Sequence, residues 1–592
     1  MGNSQDDIGI SKANSCDAPI TSEAAPAYQS ITVPMADITG IGATEIEMIP
    51  LGEGGTPTER PKERSKFRML AILTALFLSL FVAALDQTIV ATAIPTISAQ
   101  LHSASGYTWI GGAYLLANAA AAPIWAKLSD IWGRKPILLS AVATFFASSI
   151  ICATAKSMRM LIVGRSLQGA AGGGLIQLVN IVLSDLFSMR SRSLYLGLLE
   201  MMWALAGGIG PILGGAFTEL VSWRWSFWIN LPVSGSTFLL LLFFLDVHNP
   251  RTKVKEGIKA IDWFGSISIL AFMLMLLIGL NFGGVTFPWD SPKVICLVVI
   301  GALMSIFFIY SEKKLARFPL MPLRLFHHRS NVASLLVCSA QGFVFIAGEY
   351  YLPLYFQSVK EASPLRSGVL ILPITITEAL MGITVGLLIH RTGRYFELIW
   401  IGMILLTIGN GLYIHFNATT SIAEIVGFQL IAGIGAGMLF EPPLIALQAL
   451  VSQDDCAAAT ATLGFVRNLS TSLSIVIGGV VFQNSMNIQV PKLEAAGVPS
   501  NITHELSGGD AAANVMLVRN ISGPAHKMAV KEAFAWSLRN MWILYTCVAA
   551  IGCIASPFIV KQALSDEHQE TTTGIKMEME VKRKIGTADV GT

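Results

Sequence analysis

Fourteen apolar segments, each long enough for a membrane-spanning helix, occupy most of this 592-residue chain. Such a helix needs about 20 mostly apolar residues, because roughly 30 Å of hydrocarbon is crossed at about 1.5 Å per residue. The pattern predicts an all-α polytopic membrane protein with 14 transmembrane helices. The predicted spans are Met69–Ala93, Tyr107–Trp125, Pro136–Ala155, Met160–Leu183, Leu194–Thr218, Trp225–Leu245, Ile261–Leu280, Val294–Tyr310, Val332–Phe356, Ser367–Ile389, Leu398–Phe416, Ile422–Leu450, Ala457–Phe482 and Met541–Val560.

The composition excludes several other classes of protein. Charged residues make up 13% of the chain and hydrophobic residues 53%, whereas a soluble protein averages about 25% charged residues. The formal charge of +2 argues against a nucleic-acid partner, and seven scattered cysteines argue against a disulfide scaffold. The sequence contains no phosphate-binding loop, His-Glu-x-x-His or Cys-x-x-Cys pattern. We therefore expect no enzyme activity, no cofactor and no metal.

The distribution of cations predicts the orientation in the membrane. Five cations lie between residues 60 and 68, directly before the first span. With a cytoplasmic N-terminus, the six short inside loops hold sixteen Lys and Arg residues and the six short outside loops hold six. This excess on one side favours cytoplasmic N- and C-termini. Three sequons, at Asn417, Asn501 and Asn520, then lie outside and are glycosylation candidates.

Two sequence matches reveal an internal repeat. The end of the second span, Ala126–Lys135, resembles the end of the tenth, Gly386–Arg394, at an offset of 260 residues. A glycine-rich stretch at Gly169–Gly174 recurs at Gly433–Gly437, at an offset of 264 residues. The offset pairs span two with span ten, and span four with span twelve. This indicates two six-helix bundles with spans seven and eight inserted between them, an arrangement typical of secondary transporters whose substrate site lies between the halves.

The repeat defines the domain organisation that we expect. It consists of a disordered cytoplasmic tail at 1–67, an N-terminal bundle at 68–247, the inserted helices with cytoplasmic loops at 248–330, a C-terminal bundle at 331–561 with an extracellular loop at about 484–540, and a cytoplasmic tail at 562–592.

Several motifs resemble one family closely. Besides the repeated loop, they are Leu85–Pro95 on the first span, Gly164–Gly169 on the fourth, Gly207–Gly215 on the fifth and Trp223–Pro232 in the next loop. Together they resemble the fourteen-span drug:proton antiporter subfamily of the major facilitator superfamily, especially its fungal toxin and multidrug efflux members. The resemblance covers roughly residues 68–560 and implies the major facilitator fold. It departs at Ala126, where the family usually has glycine, and at His390, which stands in the place of Asp130.

The resemblance implies two sets of functional residues. The loop motif is thought to latch the cytoplasmic side shut while the transporter faces outward, although its cations also suit an ordinary inside loop. The fifth span carries an antiporter motif whose glycines, three and four residues apart, share one helix face and allow close packing. The gating residues are Asp130, Gly133, Arg134, Lys135, Arg391, Gly393 and Arg394, and the antiporter helix motif is Gly207, Gly210, Pro211, Gly214 and Gly215.

Ionisable residues inside the spans are the candidates for proton coupling or substrate binding. A charged group near the middle of the bilayer costs at least about 2.5–3.5 kcal/mol, so it usually faces a bundle interior or water. The candidates are Asp86, Arg165, Glu200, Glu378, Glu441 and Arg467. A purely structural role stays open for each: a helix–helix hydrogen bond for Asp86, an ion pair for Arg165, and packing for Glu378 and Glu441. Arg467 is a plausible partner for an acid of the C-terminal half.

These observations favour a proton-coupled transporter that exports small hydrophobic or cationic compounds, such as drugs, toxins or secondary metabolites, by alternating access. Its partners would be a small-molecule substrate, protons and membrane lipid, and we expect a monomer in the plasma membrane. Uptake of basic amino acids into a vacuole is the nearest alternative, since intramembrane acids suit cations equally well. A transporter-like membrane sensor is a second alternative.

Overall fold

The computed structural model describes residues 65–564 apart from 92, 102–105, 251, 284–286, 317, 508–510, 512–514, 516 and 522. Within these residues the chain forms helices and no β-sheet, which confirms the all-α fold class. The predicted tails lie almost wholly outside the described residues: 1–64 of the first and 565–592 of the second.

The N-terminal half forms eight helices. They are α1 (Lys66–Ala91), α2 (Ile94–Gln100), α3 (Gly106–Trp132), α4 (Arg134–Ala153), α5 (Met158–Leu186), α6 (Met189–Leu220), α7 (Trp225–Trp228) and α8 (Asn230–Phe244). The short α9 (Val254–Ala260) leads to an inserted pair, α10 (Trp263–Phe282) and α11 (Pro292–Tyr310), which pack against each other.

The C-terminal half follows the inserted pair. It contains α12 (Arg329–Ser358), α13 (Pro364–Thr392), α14 (Phe396–Leu412), α15 (Ile422–Gly437), α16 (Pro442–Gln448), α17 (Cys456–Ala495), α18 (Ser500–Glu505), α19 (Leu517–Asn520) and α20 (Pro524–Ala555). A large apolar core is drawn from this half alone, from Ala333 to Ile559. A second core belongs mainly to the N-terminal half and includes a few residues of the C-terminal half, such as Leu444 and Leu463.

Thirteen helices are long and apolar enough to cross a membrane, and each coincides with a predicted span. The remaining predicted span forms α3, whose 27 residues are long enough but include Gly, Asn, Tyr and Trp residues that lower its mean hydropathy. α3 packs closely along α5: a Cβ on Gly169 would lie 2.1 Å from the carbonyl oxygen of Tyr114. The helices are therefore consistent with fourteen spans.

Two predicted spans are broken into two helices. The sixth consists of α7 and α8, and the twelfth consists of α15 and α16. The second break lies at 438–441, directly before Pro442 and Pro443 at the start of α16. Proline lacks a backbone N–H and fits the first turn of a helix better than its interior, so the pair restarts the helix at this point.

The last two long helices extend well beyond their predicted spans. α17 continues 13 residues past Phe482, and α20 begins 17 residues before Met541. With α18 and α19 they make much of the segment 484–540 helical, where the hydropathy pattern predicts only a loop. Hydropathy misses these helix ends because they are polar on the outside. We call residues 484–540 the cap; its apolar core includes Leu493, Val498 and Val530.

The structure describes the side chains of two of the three sequon asparagines, and both are exposed. Asn417 is exposed after α14, and its Oδ1 accepts hydrogen bonds from the backbone N–H groups of Thr419 and Thr420. Asn501 is exposed on α18 in the cap. The side chain of Asn520 lies outside the described residues. Glycosylation of these sites stays a prediction.

Candidate functional site

A buried ion pair joins α1 and α5 in the N-terminal half. The Arg165 Nη1 lies 2.5 Å from Asp86 Oδ2, and the two side chains are 2% and 0% exposed. The other carboxylate oxygen of Asp86 accepts hydrogen bonds from Gln168 Nε2 at 2.9 Å and from Asn230 Nδ2 at 2.8 Å. The Arg165 guanidinium also stacks over the Tyr114 ring at 4.3 Å. Both charges are therefore compensated by fixed partners.

This arrangement supports the structural alternative for Asp86 and Arg165. The hydrogen bonds of Asp86 reach α5 and α8, and Arg165 Nε donates to the Ile110 carbonyl oxygen on α3 at 3.1 Å. A buried charge with this many partners is an anchor between helices, since releasing it would leave the other charge unpaired. The pair thus holds four helices of one half together.

A second group of charges lies where the two halves meet. Glu200 projects from α6 of the N-terminal half, and its carboxyl group lies close enough to that of Glu441 in the C-terminal half to interact with it. Arg467 on α17 interacts electrostatically with both carboxyl groups, and its Nη2 donates to the Phe440 carbonyl oxygen at 2.7 Å. Glu378 on α13 interacts electrostatically with Glu200. We call Glu200, Glu378, Glu441 and Arg467 the interface cluster.

Three atoms of the interface cluster are buried without a hydrogen-bond partner among the described residues. They are Glu378 Oε1, Glu441 Oε2 and Arg467 Nε. Glu378 and Glu441 are each only 5% exposed. An unpaired buried polar atom costs about 1–3 kcal/mol, so a set of them marks a place for a proton, water or a polar ligand. This distinguishes the interface cluster from the fully paired Asp86.

The position of Glu441 differs from the expected one. The sequence predicts it well inside the twelfth span, but it lies at the break between α15 and α16. Its carboxyl group can reach α6 of the other half because the helix is interrupted there by Pro442. Arg467 lies near Glu441 of the C-terminal half and also near Glu200 of the other half.

The first gating loop contains a buried network around Arg134. Its Nε donates to Asp185 Oδ2 on α5 at 2.7 Å, and its Nη1 donates to Ser129 Oγ at 2.7 Å and to Asp130. Gly133 has a φ of 92°, and a Cβ there would lie 2.9 Å from Pro250 Cδ. Only glycine combines this conformation with so close an approach. Lys135 is half-buried and forms no ion pair among the described residues.

The second gating loop uses backbone atoms instead of charges. Arg190 at the start of α6 donates from Nε to the His390 carbonyl oxygen at 2.7 Å and from Nη2 to the Arg391 carbonyl oxygen at 2.6 Å. Gly393 ends α13 with a φ of 67°. The side chains of Arg391 and Arg394 are exposed. The contribution of this loop to the closed end comes from the carbonyl groups at the end of α13.

Arg190 and Arg192 are functional residues that the sequence reasoning missed. Arg192 is 1% exposed and donates from Nη1 to Gln448 Oε1 of the C-terminal half at 2.7 Å, while Gln448 Nε2 donates to Ser184 Oγ at 3.0 Å. In the sequence both arginines fit the excess of cations in inside loops and carry no other signal. Their partners lie 200 or more residues away, so no local spacing reveals them.

The halves are in contact at one end of α6 and apart at the other. Near the gating loops, a Cβ on Gly386 of α13 would lie 2.6 Å from the Ser193 carbonyl oxygen, and one on Gly197 would lie 2.9 Å from that of Gly382. Towards the other end of α6, a Cβ on Gly208 would have no neighbour within 4 Å. We call these the closed end and the open end of the molecule.

The antiporter helix motif lies on the open half of α6. A Cβ on Gly210 would lie 2.1 Å from Thr88 Oγ1, and that hydroxyl donates to the Ala206 carbonyl oxygen at 2.8 Å, so α1 and α6 approach closely here. Gly214 is buried. Gly207 and Gly215 would meet nothing within 4 Å, so they do not share the close contact expected of the motif. Pro211 lies within α6, and its side chain is outside the described residues.

Among the described residues, no group of three or more His, Cys, Asp or Glu side chains is arranged to hold a metal ion. The chemistry available to the interface cluster is therefore that of its carboxyl groups and its guanidinium.

Comparison with known proteins identifies close relatives. The sequence profile of the Major Facilitator Superfamily matches residues 76–479. The chain is 46% identical to the efflux pump dotC of Dothistroma septosporum (strain NZE10), over 85% of this chain and 86% of the relative. It is 42% identical to the MFS-type transporter ppz2 of Metarhizium majus, over 92% and 93%. It is 36% identical to the efflux pump FUS6 of Gibberella moniliformis, over 89% and 94%.

Solved structures share the fold at low sequence identity. The proton:xylose symporter XylE superposes with a TM-score of 0.53 at 13% identity, covering 88% of this chain and all of the other. The human organic anion transporter MFSD10 superposes with a TM-score of 0.52 at 16% identity, covering 81% and 99%.

Proposed function

The chain belongs to the major facilitator superfamily, and on that premise we propose that it is a proton-coupled transporter that exports small hydrophobic or cationic compounds by alternating access. It is an integral, multi-pass membrane transporter and not an enzyme. The names of its relatives support export, since two of the three described above are efflux pumps. The excess of cations on one side supports placing the closed end at the cytoplasm, so that the conformation described here faces outward.

The observation that carries the proposal is the placement of the Glu200 and Glu441 carboxyl groups close enough to interact across the boundary between the halves. Two negative charges repel strongly in a buried site, so this placement favours a proton on one of the two groups. Separation of the halves at the closed end would remove this interaction. Proton binding at this position is thereby linked to which end of the transporter is closed.

The remaining charge of the interface cluster favours cations. The interface cluster holds three carboxyl groups and one guanidinium, which interacts with Glu200 and Glu441, and Glu378 Oε1 has no hydrogen-bond partner among the described residues. A cationic compound next to Glu378 would compensate this charge and compete with a proton for it. Competition between substrate and proton for one set of carboxylates is sufficient for antiport, because binding of one favours release of the other.

Substituting both glutamates tests the proposal. Glutamine at either position still forms a hydrogen bond but neither binds nor releases a proton. In a host strain lacking its own pumps, we expect Glu200→Gln and Glu441→Gln each to reduce dye and toxin efflux by at least about tenfold, equivalent to about 1.4 kcal/mol in the barrier. The matched control is Glu494→Gln, which removes an exposed carboxylate in the cap.

The result is measured as substrate accumulation with and without a protonophore. Proton-dependent efflux by the unsubstituted protein and by Glu494→Gln, together with its loss in the other two variants, would support the proposal. Full protonophore-sensitive efflux by both glutamine variants would contradict it. Accumulation in vacuoles would instead favour the alternative of basic amino-acid uptake, which the same carboxylates would suit.

A further inference from the structure

The two halves meet along two seams that face the lipid on opposite sides of the molecule. One seam runs between α3 and α17, and the other runs between α6 and α13. Each has one helix from each half. In a transporter whose halves rock, both seams are places where a central cavity could open sideways to the bilayer.

The inserted pair covers the first seam. Ile269 and Met273 of α10 form an apolar cluster with Ala119 of α3 and Phe465 of α17, so α10 contacts both halves. Near the open end, Phe282 of α10 packs edge-on against Trp109 of α3, with ring centroids 5.9 Å apart. α10 thus lies along α3 from the middle of the seam to its open end.

The second seam has no such cover among the described helices. The main neighbours of α6 are α1, α5, α7 and α13, and those of α13 are α6, α12 and α15. Large apolar side chains of both helices are exposed and therefore not covered by protein: Ile209 and Ile212 of α6 at 41% and 72%, and Ile376 and Leu380 of α13 at 52% and 59%. The inserted pair therefore makes the two sides of the transporter unequal.

The helices of the uncovered seam diverge towards the open end. Gly208 lies 11 residues after Gly197, about three turns of helix, and so occupies nearly the same face of α6. At Gly197 this face touches α13, whereas at Gly208 a Cβ would meet nothing within 4 Å. The same holds on α13, where Gly386 touches α6 and Gly368, 18 residues or about five turns earlier, meets nothing.

We propose that the gap between the open halves of α6 and α13 connects the cavity sideways to the bilayer, and that an amphiphilic substrate dissolved in lipid passes through this seam and not through the α3/α17 seam. The inference rests on the proposed transport function and specifies its route. The apolar side chains exposed on the two helices that border the gap suit a lipid-soluble compound, while the interface cluster lies deeper, towards the closed end.

Cysteine labelling at Gly208 tests the route directly. The exposed or partly exposed cysteines Cys296, Cys547 and Cys553, together with Cys16, are first replaced by serine. Gly208→Cys is then exposed to a bilayer-resident maleimide and, separately, to a membrane-impermeant maleimide added from the open end. A gap that opens to both cavity and lipid predicts labelling by both reagents.

Two matched positions calibrate the labelling. Ile300 is 40% exposed in the middle of α11, so Ile300→Cys should react only with the bilayer-resident reagent. Ala119 is 3% exposed under α10, so Ala119→Cys should react with neither. Labelling of Gly208→Cys by only one reagent, or by neither, would overturn the proposed opening. So would labelling of Ala119→Cys by the bilayer-resident reagent.

A transport measurement distinguishes failure of the route from failure of the function. The probe is a dye that fluoresces only in lipid, in proteoliposomes with a pH gradient. Gly208→Trp places bulk in the gap without a clash and is expected to slow dye loss by about tenfold, equivalent to about 1.4 kcal/mol in the barrier. Gly427→Trp, which adds the same bulk to open space on α15, should transport normally.

Absence of dye movement in the unsubstituted protein would refute the transport function itself. Normal transport by the unsubstituted protein and by Gly208→Trp alike would refute only the route. The labelling result is independent of transport, so it tests the opening separately from the transport function.

Discussion

Buried carboxyl groups of this protein differ in what surrounds them. Asp86 has every carboxylate oxygen paired with a fixed partner, whereas Glu378 and Glu441 each retain an unpaired oxygen among the described residues. A side chain whose partners are all satisfied resists a change of state, since any change leaves a buried group unpaired. We therefore assign stability to Asp86 and propose proton or substrate binding for the interface cluster.

Substitution of Asp86 should affect folding before it affects transport. Asp86→Asn leaves the Arg165 charge buried without its counter-ion, and breaking such a pair typically costs about 3–5 kcal/mol. We expect little folded Asp86→Asn protein, measured as a lower thermal unfolding temperature and a smaller monodisperse peak in detergent. Glu378→Gln serves as the control and should fold normally. A well-folded Asp86→Asn protein with a selective loss of proton-dependent efflux would instead make Asp86 a coupling residue.

Substitution of Asp130 should reduce transport while the protein still folds, the opposite of what we expect for Asp86. Arg134 keeps its hydrogen bonds to Asp185 and Ser129 when Asp130 becomes asparagine, so the fold is retained. The closed end loses one ion pair of its latch, and we expect transport to fall more than surface expression. The measurement compares initial efflux rate with the amount of protein at the cell surface, with Glu256→Gln, which removes an exposed acid on α9, as a control that should transport normally. Unchanged transport at normal expression would remove Asp130 from the latch.

At the scale of elements, the C-terminal end of α13 forms one side of the contact between the halves at the closed end. The last carbonyl groups of α13 have no partners within the helix and carry partial negative charge. The Arg190 guanidinium fits this position, since it donates to two of them at 2.6–2.7 Å. The two copies of the repeat therefore differ. The first is a loop with a network of charged side chains around Arg134, and the second is the end of α13, whose carbonyl groups bind Arg190. This explains why the Arg391 and Arg394 side chains are free to face solvent.

The cap is attached to the C-terminal half through Glu361, in the loop between α12 and α13. Its carboxylate forms ion pairs with Lys531 at 2.5 Å and Lys527 at 3.2 Å, and its carbonyl oxygen accepts a hydrogen bond from Arg519 Nη2 at 2.7 Å. Glu361 has a φ of 52°, which is rare for a residue other than glycine. One acidic residue in an unusual conformation thus connects three cations of the cap.

The attachment of the cap should weaken in acid. The hydrogen bond from the Lys531 ammonium, together with Lys527, holds the pKa of the Glu361 carboxyl below its ordinary value. A lowered pKa in the folded state means that ionised Glu361 stabilises the protein above the unfolded pKa of about 4.3, and that this contribution disappears as the pH falls through the folded pKa. The difference in stability between the unsubstituted protein and Glu361→Gln should therefore be present at neutral pH and vanish in acid.

Limited proteolysis of the cap measures this difference. Glu361→Gln should be cleaved faster than the unsubstituted protein at neutral pH, and the two cleavage rates should converge as the pH falls. Glu532→Gln, which removes an exposed acid on α20 next to Lys531, is the control and should behave like the unsubstituted protein. A difference that grows on acidification would contradict the assignment.

At the scale of the whole molecule, the sequence predicts the fold well because its two main signals are global. Spans are found from the length of hydrocarbon that they must cross, and the two halves from a repeat with one offset. The sequence does not reveal helix ends that are polar, or contacts between residues that are far apart along the chain. The helical ends of α17 and α20 are too polar for a hydropathy pattern, and the interacting carboxyl groups of Glu200 and Glu441 are 241 positions apart.

The candidate site was predictable as a set of residues but not as an arrangement. Charge in apolar segments is enough to identify Glu200, Glu378, Glu441 and Arg467. It does not tell which of them share a cluster, because that depends on the break before Pro442 and on the contact of α6 with α13. It also does not separate these residues from Asp86, whose partners come from two other helices.

Because α17 is long, its far end should move measurably when the two halves rotate during transport. Arg467 lies at the interface of the halves, and Ala495 at the end of the same helix is 28 residues, about 42 Å, farther along. A rigid rotation on the order of 15°, as in other subunit rearrangements, would displace that tip by roughly 10 Å. The cap thus amplifies a small angular motion in the membrane into a movement in water. A pair of fluorophores, one on the cap and one on the N-terminal half, would record each turnover of a single molecule.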